Sequence, residues 1–184
     1  MFKKAFLPKF KQVEPQLLRG LNAGLVISQR PVKWSEADGY GVATVNVTMN
    51  GETTKFIENG VICSLDKDGH VVNAVANSPM FLHYTEELNC DYDAKNMFAV
   101  ECEEGETYLR LIQLFPGDEF VTDNVSGNFG TTAAYATVVN GVLTYNASAG
   151  QFRYEPANPT GQYSSVFEDT LPNGEPGYHF VYIG

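Results

Sequence analysis

Residues 41–57 read GVATVNVTMNGETTKFI, and this stretch indicates the fold class of the chain. Valine alternates with small or polar residues before Asn50-Gly51, and a threonine-rich run that ends in Phe56-Ile57 follows it. Asn-Gly is a preferred pair in two-residue hairpin turns because both residues accept a positive φ. The pattern therefore predicts a β-hairpin with strands at 41–49 and 53–57.

The rest of the chain repeats this arrangement of short apolar runs separated by turn-forming residues. The predicted strand pairs are 61–65 with 70–75, 97–102 with 107–115, and 134–139 with 142–145, and a last strand covers 178–183. Residues 117–132 predict a loop with one short strand. Regular short strands without a long helical pattern are typical of sandwiches and barrels. We expect an all-β fold, a small antiparallel sandwich or barrel.

Two segments of the chain share one pattern of residues. Residues 57–71 and 138–152 both fit apolar-x-N-G-V-[I/L], then six residues, then G-x-apolar. This pattern describes a turn into a strand, a tip and a returning strand. It fits two related β-subdomains, and it equally fits unrelated hairpins, since Asn-Gly turns recur in many β proteins.

Charge divides the 184-residue chain, whose net charge is −10. Residues 1–33 hold seven basic residues and one acidic residue, whereas residues 34–184 hold five basic and 21 acidic ones. We expect residues 1–20 to form an extended basic N-terminal arm and residues 21–184 a β-rich body. A Pro/Gly-rich loop is expected at about 155–177. The arm either docks on something negative or is a solvated tail.

Several classes of protein are excluded by the composition. The acidic body disfavours nucleic acid as a direct partner, since phosphate binding needs basic surface. The sequence has no apolar run long enough for a signal peptide or a membrane span, so we expect no membrane contact. Cys63, Cys90 and Cys102 are odd in number and lack C-x-x-C spacing, which predicts reduced thiols in a protein made in a cytosol.

Motifs for catalysis or metal binding are weak. The chain contains no phosphate-binding loop, no H-E-x-x-H and no G-x-S-x-G. Cys63 and His70 share a predicted hairpin, but Cys63 lies among apolar residues, where a thiol packs as a small hydrophobe. The acidic residues within 86–106 could bind a hard cation, and solvated turns are the favoured interpretation. We predict no enzyme activity, no catalytic residues, no metal site and no cofactor.

Three segments resemble a known group of proteins. They are FIENGVICSLDKDGHVVNA at 56–74, LFPGDEFVTDNVSG at 114–127 and ATVVNGVLTYNASAGQF at 136–152. Together they look like the small β-rich decoration (head auxiliary) proteins of tailed bacteriophages. The resemblance covers roughly residues 56–154 and consists of turn-and-strand patterns, not a catalytic signature.

The resemblance implies a virion structural protein, made in the host cytoplasm, that coats the outer capsid surface and reinforces it. It would bind the major capsid protein at junctions between subunits, in many copies and often as a trimer or beside neighbouring copies. No enzyme activity or cofactor is implied. Within the arm, Lys3, Lys4, Phe6, Lys9 and Phe10 are the candidate capsid-binding residues, since charge steers an encounter and aromatic side chains anchor it.

Three alternatives remain open at this point. A phage tail, neck or head-fibre component would have the same β composition in fewer copies. A carbohydrate-binding β-sandwich module would use stacking platforms, for which the ten tyrosines and Trp34 are available. An enzyme using paired acidic residues is the third.

Overall fold

The protein is an all-β molecule, as the sequence predicts. The structure, a computed structural model, describes residues 13–16, 28–35, 41–49, 51–75, 77–84, 99–102, 107–125, 142–146, 151–154, 163–171, 174 and 176–184. The strands in these residues are β1 (Val13–Gln16), β2 (Ser28–Trp34), β3 (Val45–Met49), β4 (Glu52–Glu58), β5 (Ile62–Leu65), β6 (Val71–Asn73), β7 (Phe81–His83), β8 (Ala99–Glu101), β9 (Thr107–Gln113), β10 (Glu119–Thr122), β11 (Val142–Asn146), β12 (Gln151–Tyr154), β13 (Tyr163–Thr170) and β14 (Pro176–Tyr182).

The described strands form three antiparallel sheets. The six-stranded sheet has the order β1-β10-β14-β13-β11-β12, the five-stranded sheet β2-β9-β7-β5-β6, and the three-stranded sheet β3-β4-β8. One isolated parallel bridge joins Val125 to Phe152. Strands that are distant in sequence are therefore neighbours, as in β10 beside β14.

The five-stranded sheet packs against another sheet on each of its faces. The cluster it shares with the six-stranded sheet includes Ile62, Leu82, Ile112, Phe120, Phe152, Tyr163 and Phe180. The cluster it shares with the three-stranded sheet includes Ile57, Cys63, Phe81, Val100, Leu109 and Leu111. Ile62 and Cys63 are consecutive and lie in different clusters because side chains alternate between the two faces of a strand. Burial on both faces explains why β5 and β7 lack polar alternation.

The predicted hairpin at Asn50-Gly51 is confirmed. β3 and β4 pair from Val45 with Phe56 to Met49 with Glu52, which leaves two residues in the turn. Gly51 has φ +83°, a conformation that glycine adopts without steric cost. The hairpin positions the three-stranded sheet against the body through Ile57.

The two segments that share a sequence pattern form hairpins in different registers. β5 and β6 close with Leu65 opposite Val71, so five residues separate the paired positions. β11 and β12 close with Asn146 opposite Gln151, so four residues separate them. The first hairpin belongs to the five-stranded sheet and the second to the six-stranded sheet. The shared pattern therefore does not produce a shared register.

The predicted hairpin of 97–102 with 107–115 is wrong. β8 pairs with β4, and β9 pairs with β2 and β7. Val100 of β8 and Leu109 of β9 nevertheless lie in one apolar cluster. The two strands therefore belong to different sheets and bury apolar side chains in the cluster between those sheets.

The long loop expected at about 155–177 is also wrong, since β13 occupies its middle. β13 pairs with β11 and β14, and Tyr163 at its start is completely buried. The prolines that suggest a loop lie outside Tyr163–Thr170. The register of β13 shifts between Ser165 and Glu168, and this irregularity obscures the two-residue period in the sequence.

The N-terminal arm is described only in part. Val13–Gln16, within the expected arm of residues 1–20, forms strand β1 and pairs with β10 at the edge of the six-stranded sheet. Val13 is 2% exposed and belongs to the main apolar cluster. Residues Val13–Gln16 of the expected arm are therefore integrated into the body. Outside the described residues lie the rest of the arm, the strand predicted at 134–139 and most of the acidic segment 86–106.

Candidate functional site

The arm residues predicted to contact a partner do not fall in the described part of the chain. Lys3, Lys4, Phe6, Lys9 and Phe10 all precede the first described residue, Val13. Strand β1 fixes the point at which this segment joins the body, which is the outer side of β10. Pro15 lies in this edge strand, a position that tolerates a residue without an N–H group.

The turn between β5 and β6 brings together three polar side chains, those of Asp66, Asp68 and His70. Asp66 Oδ1 accepts backbone N–H groups from Asp68 and His70, each at 2.8 Å. His70 Nδ1 lies 3.2 Å from Asp66 Oδ2. The hydrogen bond from the His70 N–H, followed by that from Asp68, holds the pKa of the Asp66 carboxyl below its usual range. The carboxylate therefore fixes the hairpin tip.

A cation at this tip would have to compete with these hydrogen bonds. One ligand atom from each of Asp66, Asp68 and His70 lies within 4.8 Å of the others. Both Asp66 oxygens already have partners, and Asp68 Oδ2 accepts from Lys67 Nζ at 2.6 Å. Calcium takes six to eight oxygen ligands, which three residues with one imidazole do not supply. The geometry is that of a hydrogen-bonded turn.

The Cys63 thiol and the His70 imidazole do not form a catalytic pair. Cys63 is fully buried in the cluster between two sheets, and its Sγ donates to the Phe81 carbonyl oxygen at 3.6 Å. Burial raises the pKa of this thiol far above its ordinary value. His70 instead faces Asp66 at the hairpin tip. The thiol thus packs as a small hydrophobe, as the sequence suggests, and reactivity is disfavoured.

Three further polar side chains are buried, two of them in strands and one in a turn. His83 Nδ1 lies 2.9 Å from the Glu58 carbonyl oxygen, and burial lowers its pKa to about 4. Asp118 Oδ2 accepts the Phe115 N–H at 2.7 Å in the turn between β9 and β10. His179 Nε2 lies 2.7 Å from Glu119 Oε2 between neighbouring strands. His83 and His179 each connect two strands, and Asp118 closes a turn.

These contributions of His83 and Asp118 were missed by the sequence analysis. The Asp118 turn lies in the motif PGD, whose aspartate is a signal for a side chain that caps its own turn. His83 gives no such signal, because its partner Glu58 is far away along the chain. Tyr108 is half exposed, whereas Tyr163 and Tyr182 are in the core, with burial raising the pKa of Tyr182. Most of these rings serve packing and not stacking on a ligand.

Comparisons with known proteins return no match: no family model, no curated protein and no solved structure is similar to this chain. Within the described residues, the structure contains no helix that is long and apolar enough to cross a membrane.

Proposed function

We propose that this protein is a structural component of a tailed-phage virion that decorates the outer capsid surface and stabilises it by binding the major capsid protein. It would be made in the host cytoplasm and act in many copies, as a homo-oligomer (a trimer by resemblance) or beside neighbouring copies, with no catalytic step. The resemblance of residues 56–154 to phage decoration proteins supports this proposal.

One structural observation carries the argument for a mechanical role. Asp66, His83 and Asp118 each use a side chain to hold backbone in a turn or crossing, and Cys63 is sealed in the core. Groups used in this way rigidify a scaffold, and at the buried His83 and Asp118 removing a hydrogen-bond partner costs about 1–3 kcal/mol. A rigid β body suits a protein that must resist deformation of the surface to which it binds.

The arm supplies the proposed attachment. Strand β1 anchors it to the six-stranded sheet, and the candidate capsid-binding residues are Lys3, Lys4, Phe6, Lys9 and Phe10. Basic residues would steer the arm to an acidic capsid surface, and phenylalanines would anchor it. Many weak contacts on one lattice reinforce each other through effective concentration.

The decisive experiment counts copies of this chain on purified particles. Particles from the source lysate are separated on a density gradient, and the chain and the coat protein are quantified by peptide mass spectrometry. A simple ratio to the coat protein supports decoration. A few copies per particle would instead support a tail, neck or head-fibre component. Absence from particles would overturn the proposal, and a glycan array would then test the carbohydrate-binding alternative.

A further inference from the structure

Strand edges are potential interaction surfaces because they present unpaired backbone groups, and natural proteins usually protect them. In the described part of the chain the three sheets have six edge strands, namely β1, β2, β3, β6, β8 and β12. Proline lies in two of them, at Pro15 in β1 and Pro31 in β2. β8 is only three residues long and ends at the charged Glu101. These three edges therefore resist addition of another strand.

Two further edges are covered by other parts of the same chain. The Asn73 N–H of β6 donates to the Gly41 carbonyl oxygen at 3.0 Å. The Phe152 N–H of β12 donates to the Asn124 carbonyl oxygen at 3.0 Å, beside the parallel bridge to Val125. An incoming strand would have to displace these hydrogen bonds.

Among the residues that the structure describes, strand β3 has none of these protections. Its sequence, VNVTM, contains no charge and no proline, and it lies within an uncharged run from 39 to 51. Its register with β4 is regular over all five residues, without a bulge. The side chains of Asn46 and Thr48 are exposed. The described chain thus has one long, regular, uncharged edge.

The register shows which backbone groups face outward from β3. The Lys55 carbonyl oxygen accepts the Cys102 N–H, so Lys55 directs its backbone groups away from β3. Asn46 lies opposite Lys55, and opposed residues in an antiparallel pair direct their backbone groups alike, inward or outward. Asn46 and Thr48 therefore present their N–H and C=O groups at the open edge. Thr48 Oγ1 lies 2.9 Å from Thr53 Oγ1, as expected of a pair without mutual backbone bonds.

We propose that β3 pairs with β3 of a second copy, antiparallel, about a two-fold axis at Val47. In this register all five residues of the two strands overlap. Asn46 exchanges two backbone hydrogen bonds with the partner subunit's Thr48, and the symmetric pair adds two more. Val47 faces the partner subunit's Val47 in a pair without mutual backbone bonds, in which side chains approach closely.

Charge favours a second copy of the chain as the partner of β3 over the basic arm or an acidic partner. Copies of a chain with net charge −10 repel each other, and an uncharged strand is a place where they meet without direct like-charge contact. Neither the basic arm nor an acidic partner would gain charge complementarity on β3. An identical strand offers the same edge with the same spacing, which gives a closed two-fold contact. The inference does not rest on the proposed virion function.

The main test compares two proline variants by sedimentation equilibrium of the full chain. Thr48→Pro removes an outward N–H from β3, and with it two of the four hydrogen bonds of the proposed dimer. Thr53→Pro is the matched control: it lies directly opposite in β4, is equally exposed, and loses the same threonine–threonine contact. We expect a dimer in the native chain and in Thr53→Pro, and dimerisation at least about tenfold weaker in Thr48→Pro.

A disulfide test fixes the register. Opposed residues without mutual backbone bonds lie at a Cα separation of about 4.5 Å, which a disulfide can span. Under mild oxidation, Val47→Cys is expected to form a covalent dimer well above the level of the native chain, and Asn46→Cys is not. A monomeric or trimeric native chain, equal weakening by both prolines, or equal crosslinking at both positions would overturn the proposal. Failure to find the chain on particles would leave the dimer intact, so the two proposals fail separately.

Discussion

At the scale of single residues, Gly60 lies close against residues of the six-stranded sheet. It lies between β4 and β5 with φ +87°, and a Cβ atom there would be 2.8 Å from Thr122 Oγ1. That hydroxyl is fixed in place, since it accepts the buried Asn124 N–H at 3.0 Å. The backbone passes this point only because glycine has no side chain.

We predict that Gly60→Ala lowers the free energy of unfolding by about 2–4 kcal/mol. A left-handed conformation costs alanine about 1 kcal/mol or more, and overpacking against Thr122 adds about 1–3 kcal/mol. Gly69→Ala is the control, because Gly69 has φ +82° but nothing within 4 Å of its Cβ position. Gly69→Ala is therefore expected to lose only the cost of the left-handed backbone, about 1 kcal/mol of unfolding free energy. Urea unfolding measures both, and equal losses would refute the steric part.

His83 predicts a dependence of stability on pH. Its pKa in the native state is about 4 because of burial, whereas an unfolded histidine has a pKa of about 6.5. Between these values the unfolded chain binds a proton that the native state does not, so acid favours unfolding. Within this range the free energy of unfolding falls by about 1.4 kcal/mol for each pH unit of acidification. Above about pH 6.5 the destabilisation by His83 is absent.

The variant His83→Asn isolates this contribution. An asparagine amide can donate to the Glu58 carbonyl oxygen as the imidazole Nδ1 does, and it does not titrate. We expect the difference in unfolding free energy between the native chain and the variant to shrink as the pH falls from about 7 to about 4. Curves that run parallel over this range would show that His83 does not titrate in this way.

At the scale of elements, local turn chemistry determines what the sequence predicts correctly. The turns at Asn50-Gly51 and at 66–69 specify their own hairpins, because the strands that they join pair with each other. The partner of β8 is not local, since strands β5, β6 and β7 of another sheet lie between β4 and β8 along the chain. The same limit applies to the site: the Asp66 turn is readable from D-K-D-G, whereas the contact between His83 and Glu58 is not.

Strand β1 gives a prediction for truncation. Deleting residues 1–12 leaves β1 paired with β10 and is expected to leave the melting temperature nearly unchanged. Deleting residues 1–16 removes Val13 from the main cluster and uncovers β10. Burial of one valine alone contributes about 1.5–3 kcal/mol, so this deletion is expected to lower stability by at least about 2 kcal/mol.

Thermal unfolding of the two truncated chains provides the measurement. The shorter deletion serves as the control for the longer one and also removes all five candidate capsid-binding residues. Binding of the chain that lacks residues 1–12 to particles therefore tests attachment without disturbing the sheet. A large loss of stability on deleting residues 1–12 would contradict the view that β1 is the part of the arm integrated into the body.

At the scale of the whole molecule, the arrangement of sheets is what no local pattern reveals. The central strands β5 and β7 of the five-stranded sheet are buried on both faces, so they read as apolar runs that do not indicate which sheet covers which face. The distribution of charge along the chain, in contrast, can be read directly from the sequence. A basic arm attached to an acidic body would make electrostatics a property of the whole proposed contact and not of one residue pair.

The proposed attachment therefore predicts a specific dependence on salt. Exposed charge contacts are screened beyond about 8 Å at physiological ionic strength, so raising the salt concentration should release the chain from particles if lysines hold it. Replacing Lys3, Lys4 and Lys9 by glutamine should weaken binding at low salt and flatten its salt dependence. Replacing Phe6 and Phe10 by alanine should weaken binding and leave the salt dependence intact. Cosedimentation with particles across a salt series measures both, and a lysine variant that binds with the native salt dependence would remove the electrostatic part of the mechanism.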